Sequence, residues 1–276
     1  MNISEHSALF IQEMKRRGFS ENTIKTYYSN LVLFLGKQTK DHPKNVNEQD
    51  IRNYLAAFKE QNTQRSHHSA IKLFYEICMN QKDKFRYLPY AKKSNKLPIV
   101  LSPEEVQKMF NACTNLKHRA IFALLYACGL RVSEVINLQI KDVDSSRMVI
   151  NILQAKGKKD RQVMLPQSLL DLLRAYFKEY KPQVYLFNGQ NSLQYSARSI
   201  NEFLKQIAQK AGVDNKRIYA HLIRHCTFTH MLENGVDLTI IQKIAGHSSI
   251  KTTQGYTHIS NSLITRTYSP ISSIRI

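Results

Sequence analysis

The segment ACGLRVSEVINL, residues 127–138, predicts the end of one helix and the start of the next, with an arginine between them. Gly129 follows an apolar run and is suited to end its helix, because glycine readily adopts the left-handed conformation found after helix C-termini. Arg131 comes two residues later, directly before a second helical pattern. This junction therefore presents a charged side chain that can either pair with Glu134 at the surface or bind a ligand.

Helical patterns also dominate the rest of the chain. Residues 1–87 contain four runs of apolar side chains at helical spacing, with Ser20 placed to cap the second and the fourth expected near residues 64–79. In the second half, the sequence SPEEV at Ser102 is a strong helix start. Further helices are expected over residues 119–128, 167–180, 197–211, 224–233, 239–245 and 249–256.

A hairpin and a linker interrupt this pattern. The apolar runs 148–153 and 161–165 flank AKGKKD, which predicts a β-hairpin with a basic tip. Residues 88–101, LPYAKKSNKLPIVL, have no helical period and predict a basic linker. The expected fold is mainly α: an N-terminal four-helix domain over residues 1–87 and a mixed α-helical domain over residues 102–276 with a small antiparallel β-sheet.

The chain is strongly basic, with 40 Lys and Arg against 21 Asp and Glu and a formal net charge of +19. The excess is shared between the halves, since residues 1–101 carry 17 basic and 9 acidic side chains and residues 102–276 carry 23 and 12. Folded domains with a distributed positive charge usually bind a polyanion, most often nucleic acid. A basic protein without such a partner is the alternative.

Other features exclude several classes of protein. No apolar run is long enough to span a membrane and the first residues do not resemble a signal peptide, so we expect a cytoplasmic protein without a membrane partner. The four cysteines are scattered and have no histidine partner at metal-ligand spacing. We therefore expect neither a disulfide framework nor a bound metal or cofactor.

Four short segments place polar side chains at the ends of predicted elements. They are the junction described above, the hairpin, HLIRHCTFTH at residues 221–230 and GHSSIKTTQGYTH at residues 246–258. Taken singly, each side chain has a structural explanation, such as a surface ion pair, a solvated lysine, a histidine bonded to backbone, or one structural tyrosine among 14. The candidate set is Arg131, Lys156, His221, Arg224, His247 and Tyr256.

Together these segments resemble the catalytic set of the tyrosine recombinase (phage integrase) family, and within it the Xer-type and integron-type enzymes. The family's G-L-R-x-x-E segment is matched at residues 129–134, its hairpin lysine at 155–157, its H-x-x-R at 221–224, and its L-G-H with a tyrosine nine residues later at 245–256. GFSENTIKTY, residues 18–27, resembles the helical, SAM-like core-binding domain of the family.

The departures from the family pattern involve no reacting group. Ala245 and Ile223 each stand where the family usually has leucine, and Gly255 stands where it has a larger residue. Glycine lowers helix stability by roughly 1 kcal/mol, so Gly255 is expected to loosen the segment that carries Tyr256.

The resemblance implies an enzyme that cuts and rejoins DNA without metal or ATP, through a 3′-phosphotyrosyl bond. In the family's mechanism Tyr256 would be the nucleophile, His221 its general base and Lys156 the general acid for the leaving 5′ oxygen. The two arginines, with His247, would bind the phosphate, because guanidinium groups donate paired hydrogen bonds to it. A type IB topoisomerase-like activity and a DNA-binding accessory protein without catalysis are the alternative functions.

DNA contacts are expected from both halves of the chain. QRSHHS, residues 64–69, is predicted to begin a helix that enters the major groove, with a solvated polar helix start as the alternative. The expected contact residues are Gln64, Arg65, His67, His68, Lys92, Lys93, Lys158, Lys159 and Arg161. The resemblance also implies a tetramer on two double-stranded DNA sites with exchanged C-terminal segments, and we expect a monomer without DNA.

Overall fold

The chain divides into two compact units, Met1–Lys96 and Leu97–Ile276. The computed structural model describes residues 2–92, 99–153, 160–190, 192–213, 218–247 and 253–254. Leu88 is buried in the core of the first unit and Leu101 in the core of the second. Both ends of the segment predicted as a linker are therefore anchored in a unit, and the domain bounds of 1–87 and 102–276 stay a prediction.

The first unit contains four α-helices among its described residues. Their bounds are α1 Ile3–Arg16, α2 Glu21–Gly36, α3 Glu48–Ala56 and α4 Gln61–Ile77. Ser20 caps α2 as expected, accepting a hydrogen bond from the backbone N–H of Thr23. Phe10, Phe34 and Phe74 are fully buried where α1, α2 and α4 meet, so the apolar faces of the helices form one core.

The second unit combines helices with one small sheet. Its helices are α5 Pro103–Ala112, α6 Leu116–Cys128, α7 Val132–Asn137, α8 Gln167–Tyr180, α9 Ala197–Lys210, α10 Ala220–Glu233 and α11 Leu238–Ala245. The strands β1 Val143–Asp144, β2 Val149–Ile152 and β3 Arg161–Met164 form an antiparallel sheet in that order. The predicted fold class is confirmed in both units.

Helices α6 and α10 form the centre of the second unit. In α6 the run Ala120–Leu125 is buried in unbroken sequence, and in α10 the residues from 226 to 230 are buried likewise. A helix buried on all sides needs its neighbours to cover it, and α8 and α9 pack against α6. The polar side chains of α6 and α10 that point inward must therefore find partners inside the protein.

Helix α10 and strand β1 differ most from the sequence prediction. Helix α10 begins at Ala220, four residues before the predicted start at 224, so His221 and Arg224 both lie within it. Strand β1 was not expected; it has only two residues and is defined by its pairing with Ile150 and Val149 of β2. Among the described residues, no helix is both long and apolar enough to cross a bilayer.

Candidate active site

The site is built on the junction between α6 and α7. Gly129 ends α6 in the left-handed conformation, with φ of +58°, and Arg131 precedes the first residue of α7. Glu134, in the first turn of α7, accepts hydrogen bonds from the backbone N–H and from Nη1 of Arg131, at 2.7 and 2.8 Å. The Arg131 side chain remains 23% exposed, whereas that of Glu134 is only 6% exposed.

The buried carboxylate of Glu134 also binds a second arginine. Arg161, the first residue of β3, donates from Nη1 and Nη2 to the two carboxylate oxygens at 2.8 and 2.7 Å. Burial acts to raise the pKa of Glu134, but the hydrogen bonds and charges of Arg161 and Arg131 outweigh it, so the pKa lies below its ordinary value. Glu134 is therefore ionised and holds two arginine side chains in fixed positions.

A third arginine, Arg224 of α10, lies in the same cluster. Its Nη1 is 4.0 Å from a carboxylate oxygen of Glu134 and donates to the carbonyl of Gly129. Its guanidinium group stacks 4.8 Å from the ring centre of Phe228. The side chain is only 1% exposed, so a ligand can reach it only if the atoms that cover it move.

All three arginines donate to the C-terminus of α11. Arg161 Nε donates to the carbonyl of Ile244 at 2.7 Å and Arg224 Nη2 to that of Ala245 at 2.6 Å. Arg131 Nη2 donates to the carbonyl of Gly246 at 3.5 Å. These carbonyls lack partners within their own helix and carry its negative partial charge, which suits cations.

His247 follows this helix end directly and joins the cluster. Its Nε2 lies 3.3 Å from Arg224 Nη2, and its Nδ1 lies 3.0 Å from Oγ1 of Thr253, which is fully buried. Because the arginine can only donate, Nε2 accepts in this arrangement and Nδ1 carries the proton.

The histidines of the site are neutral at pH 7. Burial, and then the charges of Arg224 and Arg131, lower the pKa of His247 to about 4. Burial and the neighbouring His221 lower the pKa of His225 to about 4 as well, and the two rings meet edge to face at 4.5 Å. The pKa of His221 is also lowered, first by lost hydration and then by Arg224 and Arg131, although its side chain is exposed.

Four of the six predicted catalytic residues are described, and three of them meet. Arg131, Arg224 and His247 come together around the α11 terminus, while His221 lies one turn before Arg224 on α10. Lys156 and Tyr256 lie outside the described residues, and so do Lys93, Lys158 and Lys159 among the expected DNA contacts. The catalytic roles stay predictions.

In the first unit, the QRSHHS segment is not a helix start, because α4 begins at Gln61. His67 and His68 are buried, the first bonded to Tyr54 Oη at 3.0 Å and the second to the carbonyl of Leu88 at 2.9 Å. With their side chains inside the core, neither histidine can reach a base edge in this arrangement.

The other described residues expected to contact DNA are closer to the surface. Gln64 is half-buried and donates to the carbonyl of Leu55, and Arg65 donates to that of Ala91. Lys92 is exposed. A DNA contact by these three side chains stays a prediction.

Arg161 differs most from its expected role. It was expected to contact DNA from the hairpin, but its side chain is 8% exposed and is bonded to Glu134 and the α11 terminus. The central position of Glu134 was also missed, because the sequence allows a simple surface pair with Arg131. The spacing of Arg131 and Glu134, which is that of a capping box, was the available signal for a more ordered arrangement.

The chemistry of this cluster is that of an anion site. Three guanidinium groups surround one carboxylate, which leaves a local excess of positive charge beside a neutral histidine. Arginine suits phosphate because its planar fork donates two parallel hydrogen bonds and its charge is permanent.

Family models and curated proteins match the sequence of both units of the chain. Residues 100–262 match the model of the phage integrase family, and residues 8–83 match the model of the phage integrase N-terminal SAM-like domain. Tyrosine recombinase XerC of Staphylococcus haemolyticus is 32% identical over 288 residues, covering 96% of both chains. A putative integrase/recombinase of Sinorhizobium fredii is 35% identical and covers 94% of this chain and 86% of its own length.

Solved structures show the same fold. The XerA recombinase matches over 100% of both chains with a TM-score of 0.59 and 29% identity. A lambda integrase tetramer bound to a Holliday junction matches with a TM-score of 0.77 at 13% identity, covering 92% of this chain and 76% of its own. With the matched motifs, the arginine cluster and both domain models in agreement, the chain belongs to the phage integrase family of tyrosine recombinases.

Proposed function

We propose that this chain is a site-specific DNA recombinase that cuts and rejoins strands through a covalent bond between Tyr256 and a DNA phosphate. The observation that carries the proposal is the meeting of Arg131, Arg224 and His247 at the α11 terminus. Side chains from three separate segments converge there on one position. A phosphodiester is an anion that gathers further charge in its transition state, so such a cluster stabilises the reaction.

In the proposed step, the Tyr256 oxygen attacks the phosphorus while its proton passes to His221. The bond from phosphorus to the 5′ oxygen breaks, and Lys156 gives that oxygen a proton. The products are a 3′-phosphotyrosyl bond and a free 5′ hydroxyl. Because the new bond keeps the energy of the phosphodiester, a 5′ hydroxyl of another strand can reverse the step without ATP.

The protonation states in the free protein support these roles. The lowered pKa of His221 leaves its ring neutral at pH 7 and able to accept the tyrosine proton. Phosphate binding would oppose the arginine charges that lower the pKa of His247 and so favour a proton on its Nε2. His247 would then change from hydrogen-bond acceptor to donor as DNA binds.

The partner is double-stranded DNA, in keeping with the basic charge of both halves. Known structures of this fold include XerH bound to difH substrate and the Tn1549 transposon integrase in complex with circular intermediate DNA. The lambda integrase structure is a tetramer, and we extend a DNA-bound tetramer to this chain. The cytoplasm is the compartment in which it would meet this DNA.

The test is a covalent selection on the full chain. A library of duplexes with a random central segment and a nick is incubated with the wild-type protein, and adducts that survive denaturant are recovered and sequenced. We expect one family of duplexes to be enriched, and Tyr256→Phe to give no adduct. An equal yield of adduct from Tyr256→Phe would show that another residue is the nucleophile, and Tyr268 would be the next candidate.

The recovered duplex also separates recombination from relaxation. Two labelled duplexes of different length should yield recombinant strands with the wild-type protein. If supercoiled plasmid is relaxed but no recombinant strand forms, the activity is topoisomerase-like. If the protein binds the duplex but forms no adduct, it is a DNA-binding accessory protein.

A further inference from the structure

Arg161 takes no part in the proposed reaction, yet its side chain joins separate segments of the site. It donates two parallel hydrogen bonds to Glu134 on α7, at 2.8 and 2.7 Å, and one to the carbonyl of Ile244 on α11, at 2.7 Å. With an exposure of 8%, it is directed inward and not toward a DNA surface. A buried arginine held by three bonds fixes the backbone that carries it.

That backbone forms the base of the β2–β3 hairpin. Arg161 is the first residue of β3 and pairs with Ile152, the last residue of β2. Residues 153–160 connect the two strands, and Lys156 is among them. The side chain of Arg161 therefore attaches the hairpin, where it starts and ends, to the segments that carry Arg131 and His247.

The packing around Arg161 favours arginine at this position. A Cβ atom on Gly246 would lie 3.1 Å from Cδ of Arg161, and Gly246 has a φ of +62°, so the arginine stem packs closely against a turn that suits glycine. A lysine ammonium group carries the same charge but cannot bond both carboxylate oxygens in parallel and reach the Ile244 carbonyl as well.

We propose that Arg161 is a positioning residue for Lys156. By tying the base of the hairpin to Glu134 and to the α11 terminus, it sets the place from which Lys156 protonates the leaving 5′ oxygen. The inference rests on the proposed function, because the role of Lys156 belongs to that proposal.

The test exploits the leaving group. The duplex recovered by covalent selection is made in two forms, one with the ordinary scissile 5′ oxygen and one with sulfur in its place. A thiol has a pKa of about 8.5, far below that of an alcohol, so a thiolate leaves without a proton and the general acid becomes dispensable. Cleavage rates of full-length wild type, Arg161→Lys, Lys156→Ala and Arg131→Lys are compared on both duplexes.

We expect Arg161→Lys to cleave the ordinary duplex about 100-fold more slowly than wild type, the cost of a misplaced catalytic group. On the sulfur duplex its cleavage rate should return close to that of wild type, and Lys156→Ala should behave in the same way. Arg131→Lys, which weakens phosphate binding, should stay slow on both duplexes. Simple misfolding would slow both duplexes alike, and DNA binding by fluorescence anisotropy shows that each variant is folded.

A second variant tests whether the defect comes from the lost attachment of the hairpin and not from the introduced lysine. Arg161→Gln cannot bond both oxygens of Glu134 in parallel, so the hairpin is left unattached, while Glu134 keeps its hydrogen bonds from Arg131 and is not left as a lone carboxylate. It should show the same recovery on the sulfur duplex.

Two results would overturn the inference: a wild-type rate for Arg161→Lys on the ordinary duplex, or an equal defect on both duplexes. If the wild-type chain forms no adduct at all, the proposed function itself is wrong. The wild-type reaction therefore tests the proposed function separately from the role of Arg161.

Discussion

At the scale of single residues, the site depends on one carboxylate. Glu134 is the negative charge shared by Arg131 and Arg161, and it lies 4.0 Å from Arg224. Its hydrogen bonds compensate the cost of removing it from water, so it works as the fixed centre around which the arginines are arranged. Removing this carboxylate should therefore lower the free energy of unfolding as well as the rate of cleavage.

Glu134→Gln is expected to lower the free energy of unfolding by about 3–5 kcal/mol, because it removes the buried carboxylate charge to which Arg131 and Arg161 are bonded. The matched control is Glu202→Gln on α9, which removes the same charge from a pair with Lys205 in which both side chains are more than half exposed. That change should cost less than about 1 kcal/mol. Urea denaturation of both variants measures the difference, and equal losses would contradict a structural role for Glu134.

Some residue-level features could not be predicted because their partners are distant in sequence. His67 and His68 looked like surface groups, but Tyr54 and Leu88 supply buried partners that no local pattern reveals. Arg161 and Glu134 are likewise 27 residues apart and meet only in the folded chain. The identities of Arg131, Arg224 and His247 were predictable because each lies in a short motif that resembles one of the family's.

At the scale of elements, helix ends place the site. Gly129 ends α6 and Gly246 ends α11, both in the left-handed conformation, and Arg224 donates to a carbonyl at each of these ends. Capping residues and glycines made most helix bounds predictable, and α8 has the predicted range of Gln167–Tyr180. Strand β1 was not predictable, since its two residues are ordered by pairing with β2.

Gly129→Ala tests whether this helix end is crowded. Gly129 has a positive φ, and an added Cβ would lie 2.5 Å from Cζ of the buried Phe228, so we expect a loss of about 2–4 kcal/mol from strain and overpacking together. Gly212→Ala is the matched control, with a φ of +68° and open space around the added atom, and should cost about 1 kcal/mol. Denaturation of the two variants should therefore give unequal losses; equal ones would show that Phe228 moves aside freely.

At the scale of the whole molecule, charge governs the encounter with DNA. The net charge of +19 is spread over both halves of the chain, so phosphate contacts are expected along an extended surface. With about six or more such contacts, affinity for the selected duplex should fall roughly 1,000-fold between 50 and 200 mM salt. Fluorescence anisotropy across this range gives the slope, and a nearly flat one would contradict binding dominated by phosphates.

The three carbonyls at the end of α11 should respond to DNA binding in a way that infrared spectroscopy can detect. Ile244, Ala245 and Gly246 each accept a hydrogen bond from a different arginine, so the stretching vibrations of these peptide groups depend on where the guanidinium groups point. When an arginine turns toward a phosphate, its carbonyl loses a charged donor and its vibration shifts to higher frequency. Carbon-13 placed in the peptide groups of Ala245 and Gly246 would show by infrared spectroscopy whether Arg224 or Arg131 engages DNA, and the Ile244 carbonyl, bonded to the inward-directed Arg161, would serve as the internal reference.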